Sequence, residues 1–160
     1  MKLYFLRHGL ADHPDWHGPD AERPLTKEGQ KIMKAQSRRL ALFGLQPDLI
    51  LHSPLVRCRQ TAEIIARELK AGNRVRAEAR LSPGFDFAGL VQLLVENEQV
   101  DELMLVGHAP DCGAVAGKLI GGGALKFGKG SLACVKLDRL GPRPSGTLHW
   151  LVSDDLLTAD

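Results

Sequence analysis

Short apolar runs alternate with longer stretches of helical periodicity along this chain. Leu3 to Leu6, Leu49 to Leu51 and Leu103 to Val106 are apolar at every position. Runs of that length without alternation predict strands buried on both faces. Arg74 to Ala77 is a weaker candidate strand. Ser131 to Leu137 and Thr147 to Val152 predict two more, joined by a Pro/Gly-rich connection of hairpin type.

Between the strands the period lengthens to that of a helix. Thr26 is a suitable N-cap, with Leu25 before it as a staple residue and Gly44 as the stop. Ile32, Met33, Leu40 and Phe43 mark the core face of that helix, interrupted by Gln36. Ser53 followed by Pro54 predicts a second start, with serine as cap and proline in the first helical position. Leu55, Cys58, Ala62, Ile65, Ala66 and Leu69 then face the core. Asp86 caps a third helix carrying Phe87, Leu90, Val91 and Leu94. Val115 and Leu119 mark a fourth, ended by Gly121 to Gly123. Strands alternating with helices predict a three-layer α/β/α fold with a mostly parallel central sheet and a C-terminal strand pair.

Composition narrows the class. The length of 160 residues fits one domain over 1–160. A net charge of +2 without long basic blocks gives no reason to expect nucleic acid. No apolar stretch reaches the length of a membrane span or a signal peptide. Cys58, Cys112 and Cys134 are odd in number and widely spaced, which suits a reducing cytoplasm.

The strand ends carry the candidate chemistry. The first runs into Arg7-His8-Gly9, the second into Ser53 through Arg57, the third into Gly107-His108-Ala109-Pro110. In a parallel sheet these ends share one edge, where α/β folds place ligands. Two guanidiniums, two imidazoles and a helix N-terminus suit a phosphoryl group, because arginine pairs two oxygens at once and a helix start attracts anions. Arg57 is unfavourable beside the positive helix end unless an anion sits nearby. Gly9 allows close backbone approach. Arg59 faces solvent and His52 packs.

Other candidates are weaker. Residues 10–24 form a long loop broken by Pro14, Gly18, Pro19 and Pro24. His13 and His17 stand four apart in it, but the prolines deny them the helix that this spacing needs, so no metal is expected. Residues 123–130 imitate a phosphate-binding glycine loop, yet glycine follows Lys129 and a strand follows the loop. Histidine can carry a phosphoryl group covalently, and the cysteine-phosphatase signature, a cysteine six residues before an arginine, is absent at all three cysteines.

Four segments together resemble a known family: Leu6-Arg7-His8-Gly9, Arg23-Pro-Leu-Thr-x-x-Gly29, Ser53-Pro-x-x-Arg57-x-x-Gln-Thr-Ala62 and Val106-Gly-His-x-Pro110. In this order they look like the histidine phosphatase superfamily, with its phosphoglycerate mutase-like fold. Size and the Arg-Pro-Leu-Thr segment look nearest to its SixA-type phosphohistidine phosphatases. The resemblance implies His8 as nucleophile, with Arg7, Arg57 and His108 holding phosphoryl oxygens. Arg23, Gly9, Ser53 and Ala109 would complete the substrate-binding rim. It implies no cofactor and no metal. The implied partner is a phosphohistidine-bearing protein, for example a histidine-phosphotransfer domain.

Two departures stand out. Leu10-Ala11 follows Arg-His-Gly where the family has a small polar residue. The carboxylic acid that many members use for the leaving alkoxide is missing from Leu81-Ser-Pro-Gly-Phe85, with Glu78 and Asp86 the nearest substitutes. Imidazole, with a pKa near ~6.5, is a far better leaving group than an alcohol. The gap therefore favours phosphohistidine over sugar phosphate or phosphoserine. The alternative is a small-molecule phosphomonoesterase of the same fold, or a non-catalytic phosphate-binding module.

Overall fold

The computed structural model describes residues 1–153 and Leu156; residues 154, 155 and 157–160, which the single-domain expectation included, lie outside these. A six-stranded sheet runs through the centre in the order β3-β2-β4-β1-β5-β6. Its strands are β1 (Lys2–Arg7), β2 (Leu49–His52), β3 (Val75–Ala77), β4 (Glu102–Gly107), β5 (Leu132–Arg139) and β6 (Ser145–Val152). The first four pair in parallel. β5 runs antiparallel to β1 and β6 antiparallel to β5. The expected mostly parallel sheet with an antiparallel C-terminal pair is the architecture observed.

Four helices cover the two faces: α1 (Lys27–Leu42), α2 (Val56–Glu68), α3 (Phe87–Glu96) and α4 (Asp111–Leu119). Period-2 alternation of the strands decides which face each side chain joins. Leu3, Phe5, Leu49, Leu51, Leu103 and Leu105 pack with Leu90, Leu93 and Leu94 of α3 and Val115 and Leu119 of α4. Tyr4, Leu6, Ile50, Met104 and Val106 pack with Met33 and Leu40 of α1 and Cys58, Ala62 and Ile65 of α2. Unbroken apolar strands are thus explained by a sheet with helices on both sides. Burying each such side chain contributes about 1.5–3 kcal/mol.

The caps follow local chemistry with one exception. Thr26 accepts from the Gly29 N–H, and Asp86 accepts from the Gly89 N–H. Gly44 takes φ +75° after α1, returning the chain so that Leu45 enters the core. Phe43, expected on the core face, is the C-cap of α1 and is 80% exposed, and after the Gly44 turn Leu45 is buried instead. Ser53 does not cap α2, correcting the Ser-Pro reading. The helix begins at Val56 behind Leu55, with no side-chain cap. Ser53 is instead buried at the end of β2.

Candidate active site

Sheet register places the strand ends side by side. Arg7 pairs with Gly107 across β1 and β4, and His52 pairs with Val106 across β2 and β4. His8, Ser53 and His108 are the next residues along each strand, and all three are buried. The His8 and His108 rings meet edge to face, with centroids 5.3 Å apart.

His8 is fixed by its own neighbour. Its Nδ1 lies 2.8 Å from the Gly9 carbonyl oxygen, which can only accept, so Nδ1 carries the proton. Nε2 is left with a free lone pair. Burial holds the ring's pKa down to about 3, and the charges of Arg57 and Arg7 add to the effect. The ring is therefore neutral at physiological pH. Its backbone is also pinned: His8 N–H donates to Gly107, and Gly130 N–H donates to the His8 carbonyl. Gln36, read from sequence as a break in an apolar face, is buried and donates to the Gly130 carbonyl at 2.8 Å. It supports the loop that supports His8.

His108 is held by different partners. Its Nε2 is 2.9 Å from Ser53 Oγ and 3.5 Å from Cys58 Sγ. Burial, with the neighbouring Arg57 charge, lowers its pKa to about 4. Burial pushes the Cys58 thiol up to about 12, so it packs as a neutral group.

Two guanidiniums, Arg7 and Arg57, act on the rings, and a third, Arg23, meets Arg57 through Asp20. Arg7 donates from Nη1 to the Phe127 carbonyl at 2.9 Å, while its Nε is buried and unpartnered. The glycine-rich loop at 123–130 thus serves Arg7. Arg57 is only 4% exposed, and its Nε is also unpartnered. Its Nη1 donates to the Asp20 carbonyl at 2.8 Å and its Nη2 to Asp20 Oδ2 at 3.0 Å. The expected anion beside Arg57 is, in this state, the Asp20 carboxylate. Arg23 holds the other oxygen of the same carboxylate, from Nη2 at 2.8 Å and Nε at 3.1 Å. Asp20 lies in a 3-10 turn (Asp20–Glu22) within the loop and was not singled out by sequence. Nothing in its local pattern separates it from Asp12 or Asp15.

The remaining motif residues bind that loop to the helices. A Cβ on Gly29 would fall 2.1 Å from the Leu10 carbonyl oxygen, so only glycine lets α1 approach. Leu10 also accepts from the Thr26 N–H. Gln60 accepts from the Leu25 N–H at 2.7 Å. Thr61 Oγ1 accepts from the Gly9 N–H at 3.2 Å and donates to the Arg57 carbonyl at 2.7 Å.

Other candidates stand apart. His13 is tied to the Pro24 carbonyl, and His17 is exposed. Among the described residues, no group of three or more His, Cys, Asp or Glu could hold a metal ion. Glu78 is engaged by Arg80, which holds its carboxyl below the usual range; Asp86 is occupied as a helix cap. Neither serves as a ready proton donor. Ala109 is half-buried in the turn into α4.

The two depressed imidazoles have a consequence for stability. Unfolded, each takes up a proton near pH ~6.5; folded, they resist to about 3 and about 4. Below pH ~6.5 the unfolded chain binds more protons, so stability falls with falling pH. The slope approaches about 1.4 kcal/mol per pH unit for each ring. Urea midpoints measured from pH ~7.5 to ~4.5 should decline, and the decline should shrink in His108→Gln. A flat profile over that window would contradict the burial argument.

Comparison with known proteins places the chain. The model of the histidine phosphatase superfamily (branch 1) matches residues 3–84. An uncharacterised protein of Picosynechococcus sp. is 39% identical over 115 residues, spanning 71% of this chain and 69% of that one. Phosphohistidine phosphatase SixA of Escherichia coli is 28% identical over 157 residues, 96% of this chain and 94% of its own. The solved structure of the protein histidine phosphatase SixA complexed with tungstate superposes with a TM-score of 0.88 at 26% identity, covering 99% of this chain and 100% of that one. Among the described residues, no helix is long and apolar enough to cross a membrane.

Proposed function

The chain belongs to the histidine phosphatase superfamily (branch 1) and is a phosphatase, and from that premise we propose that it hydrolyses protein phosphohistidine through a covalent intermediate on His8. One observation carries the reading. A neutral, buried imidazole has its Nδ1 proton committed to Gly9 and its Nε2 lone pair free. Beside it are guanidiniums whose buried Nε groups lack partners. That combination suits attack on phosphorus with the oxygens already accommodated.

In the first step the Nε2 lone pair forms the N–P bond while the P–N bond to the substrate imidazole breaks. The departing ring, protonated on its other nitrogen in the substrate, keeps that electron pair and leaves as neutral imidazole. Arg7 and Arg57 hold equatorial oxygens, and His108 donates a ring N–H as charge develops. Arg23 stands at the rim. Ser53 orients His108, Ala109 leads from His108 towards α4, and Gly9 lets the chain after His8 pass α1, where a Cβ would fall 2.6 Å from Met33 Cγ. In the second step water attacks phosphorus, the N–P bond at His8 breaks, phosphate departs and the water proton goes to solvent. Neither step requires a metal or a cofactor.

The substrate class follows from the leaving group. Glu78 and Asp86 are engaged elsewhere, and hydrogen bonds from Arg23 and Arg57 hold Asp20 in its ionised form, with no proton to give. Of these three carboxylates none is poised to protonate an alkoxide, whereas a phosphohistidine ring protonated on its other nitrogen leaves as neutral imidazole without one. The name of the Escherichia coli relative supports the same class. A histidine-phosphotransfer domain is the substrate of choice, which would place the enzyme in signal transduction. Three buried, unpaired cysteines suit the reducing cytoplasm, and we take residues 1–160 as one phosphatase domain.

The test is turnover at neutral pH in EDTA, comparing a phosphorylated histidine-phosphotransfer protein with phosphoserine and sugar phosphates. The phosphohistidine protein should be hydrolysed at least about 10²-fold more efficiently by kcat/KM, consistent with uncatalysed departure of a weakly basic group. Equal turnover across the panel would make the protein a general phosphomonoesterase. Loss of activity in EDTA would overturn metal independence.

A further inference from the structure

Asp20 presents its two carboxylate oxygens to two different guanidiniums: Oδ2 to Arg57 and Oδ1 to Arg23. This is how two phosphoryl oxygens would be held. We propose that Asp20 is a tethered competitor, an anion built into the chain that occupies the guanidinium cup until a phosphoryl group displaces it. The inference rests on the reading of this cup as the phosphoryl site, and it assigns Asp20 a part in what the site will accept.

Three features support a displaceable contact. The Asp20 side chain is 63% exposed although the side chain of its partner Arg57 is only 5% exposed. The turn that carries it buries no residue, so the carboxylate can swing into solvent without unpacking the core. It also satisfies the cup incompletely. Arg7 Nε and Arg57 Nε stay buried without acceptors. A phosphoryl group, with three free oxygens and more charge, has enough acceptors for them. Hydrogen bonds from Arg23 and then Arg57 hold the carboxyl below its usual range, so the competitor is charged at neutral pH.

The consequence concerns product. Free phosphate must displace the carboxylate with no contacts beyond the cup. A phosphohistidine on a protein brings its own surface to the rim and is penalised proportionately less. The carboxylate therefore helps to expel phosphate after each turnover.

The experiment is calorimetric titration of the purified protein with inorganic phosphate at neutral pH. Asp20→Asn should bind phosphate about tenfold more tightly than wild type, because a neutral amide competes poorly for a guanidinium. Asp20→Glu keeps the charge and should stay within about threefold of wild type. Unchanged or weaker binding in Asp20→Asn would overturn the proposal and make Asp20 a support for Arg57. Asp20→Glu behaving like Asp20→Asn would overturn it too, as would absence of phosphate binding in all three proteins. Tighter phosphate binding in Asp20→Asn without phosphohistidine turnover by wild type would sustain the competitor and remove only the substrate assignment.

Discussion

Replacing His8 by alanine is expected to lower phosphate release from a phosphohistidine protein by about 10⁴-fold or more, to the level of binding and electrostatics alone. The choice of His8 over His108 is geometric. His8 spends one nitrogen on the adjacent Gly9 carbonyl and leaves the other free. His108 has Nε2 engaged by Ser53 and flanked by Cys58. Rapid quenching of wild type with labelled substrate should trap a label that is acid-labile and base-stable, and His8→Ala should trap none. Its affinity for tungstate should persist, since the guanidiniums remain. Full turnover in His8→Ala, or a label retained by it, would exclude the covalent route through this residue.

Arg57→Ala should cost about 10³-fold in kcat/KM, roughly 4 kcal/mol of transition-state stabilisation. The residue is buried, points two nitrogens at the anion-bearing loop and has a third without a partner. Arg57→Lys should recover little of the loss, because a single ammonium cannot reproduce the planar fork. Steady-state kinetics and tungstate titration on both variants check this. Near-wild-type kcat/KM in Arg57→Lys would mean that charge alone matters there. Native unfolding midpoints should accompany the assays, since loss of Arg57 also strands Asp20.

Much of the fold could be read from the chain because its strands are apolar throughout. Leu3 to Leu6 and Leu103 to Val106 have a helix layer on each side, so hydrophobicity alone marked them. Parallel pairing then brought Arg7, His8, Ser53 and His108 to one edge without further information. What escaped the sequence depends on contacts distant along the chain. Asp20 meets Arg57 across 37 residues, and Gln36 meets Gly130 across 94. No periodicity marks either residue. Ser53 was misread for a related reason. Its local pattern is that of a helix cap, but the nearby His108 claims its hydroxyl. Phe43 followed the helical period, yet it falls at the C-cap of α1, and the Gly44 turn sends Leu45 inward in its place.

The hydroxyl of Thr61 touches both halves of the catalytic apparatus, taking the Gly9 amide and giving to the Arg57 carbonyl. In the proposed mechanism the attacking ring and the oxyanion clamp therefore share one rivet.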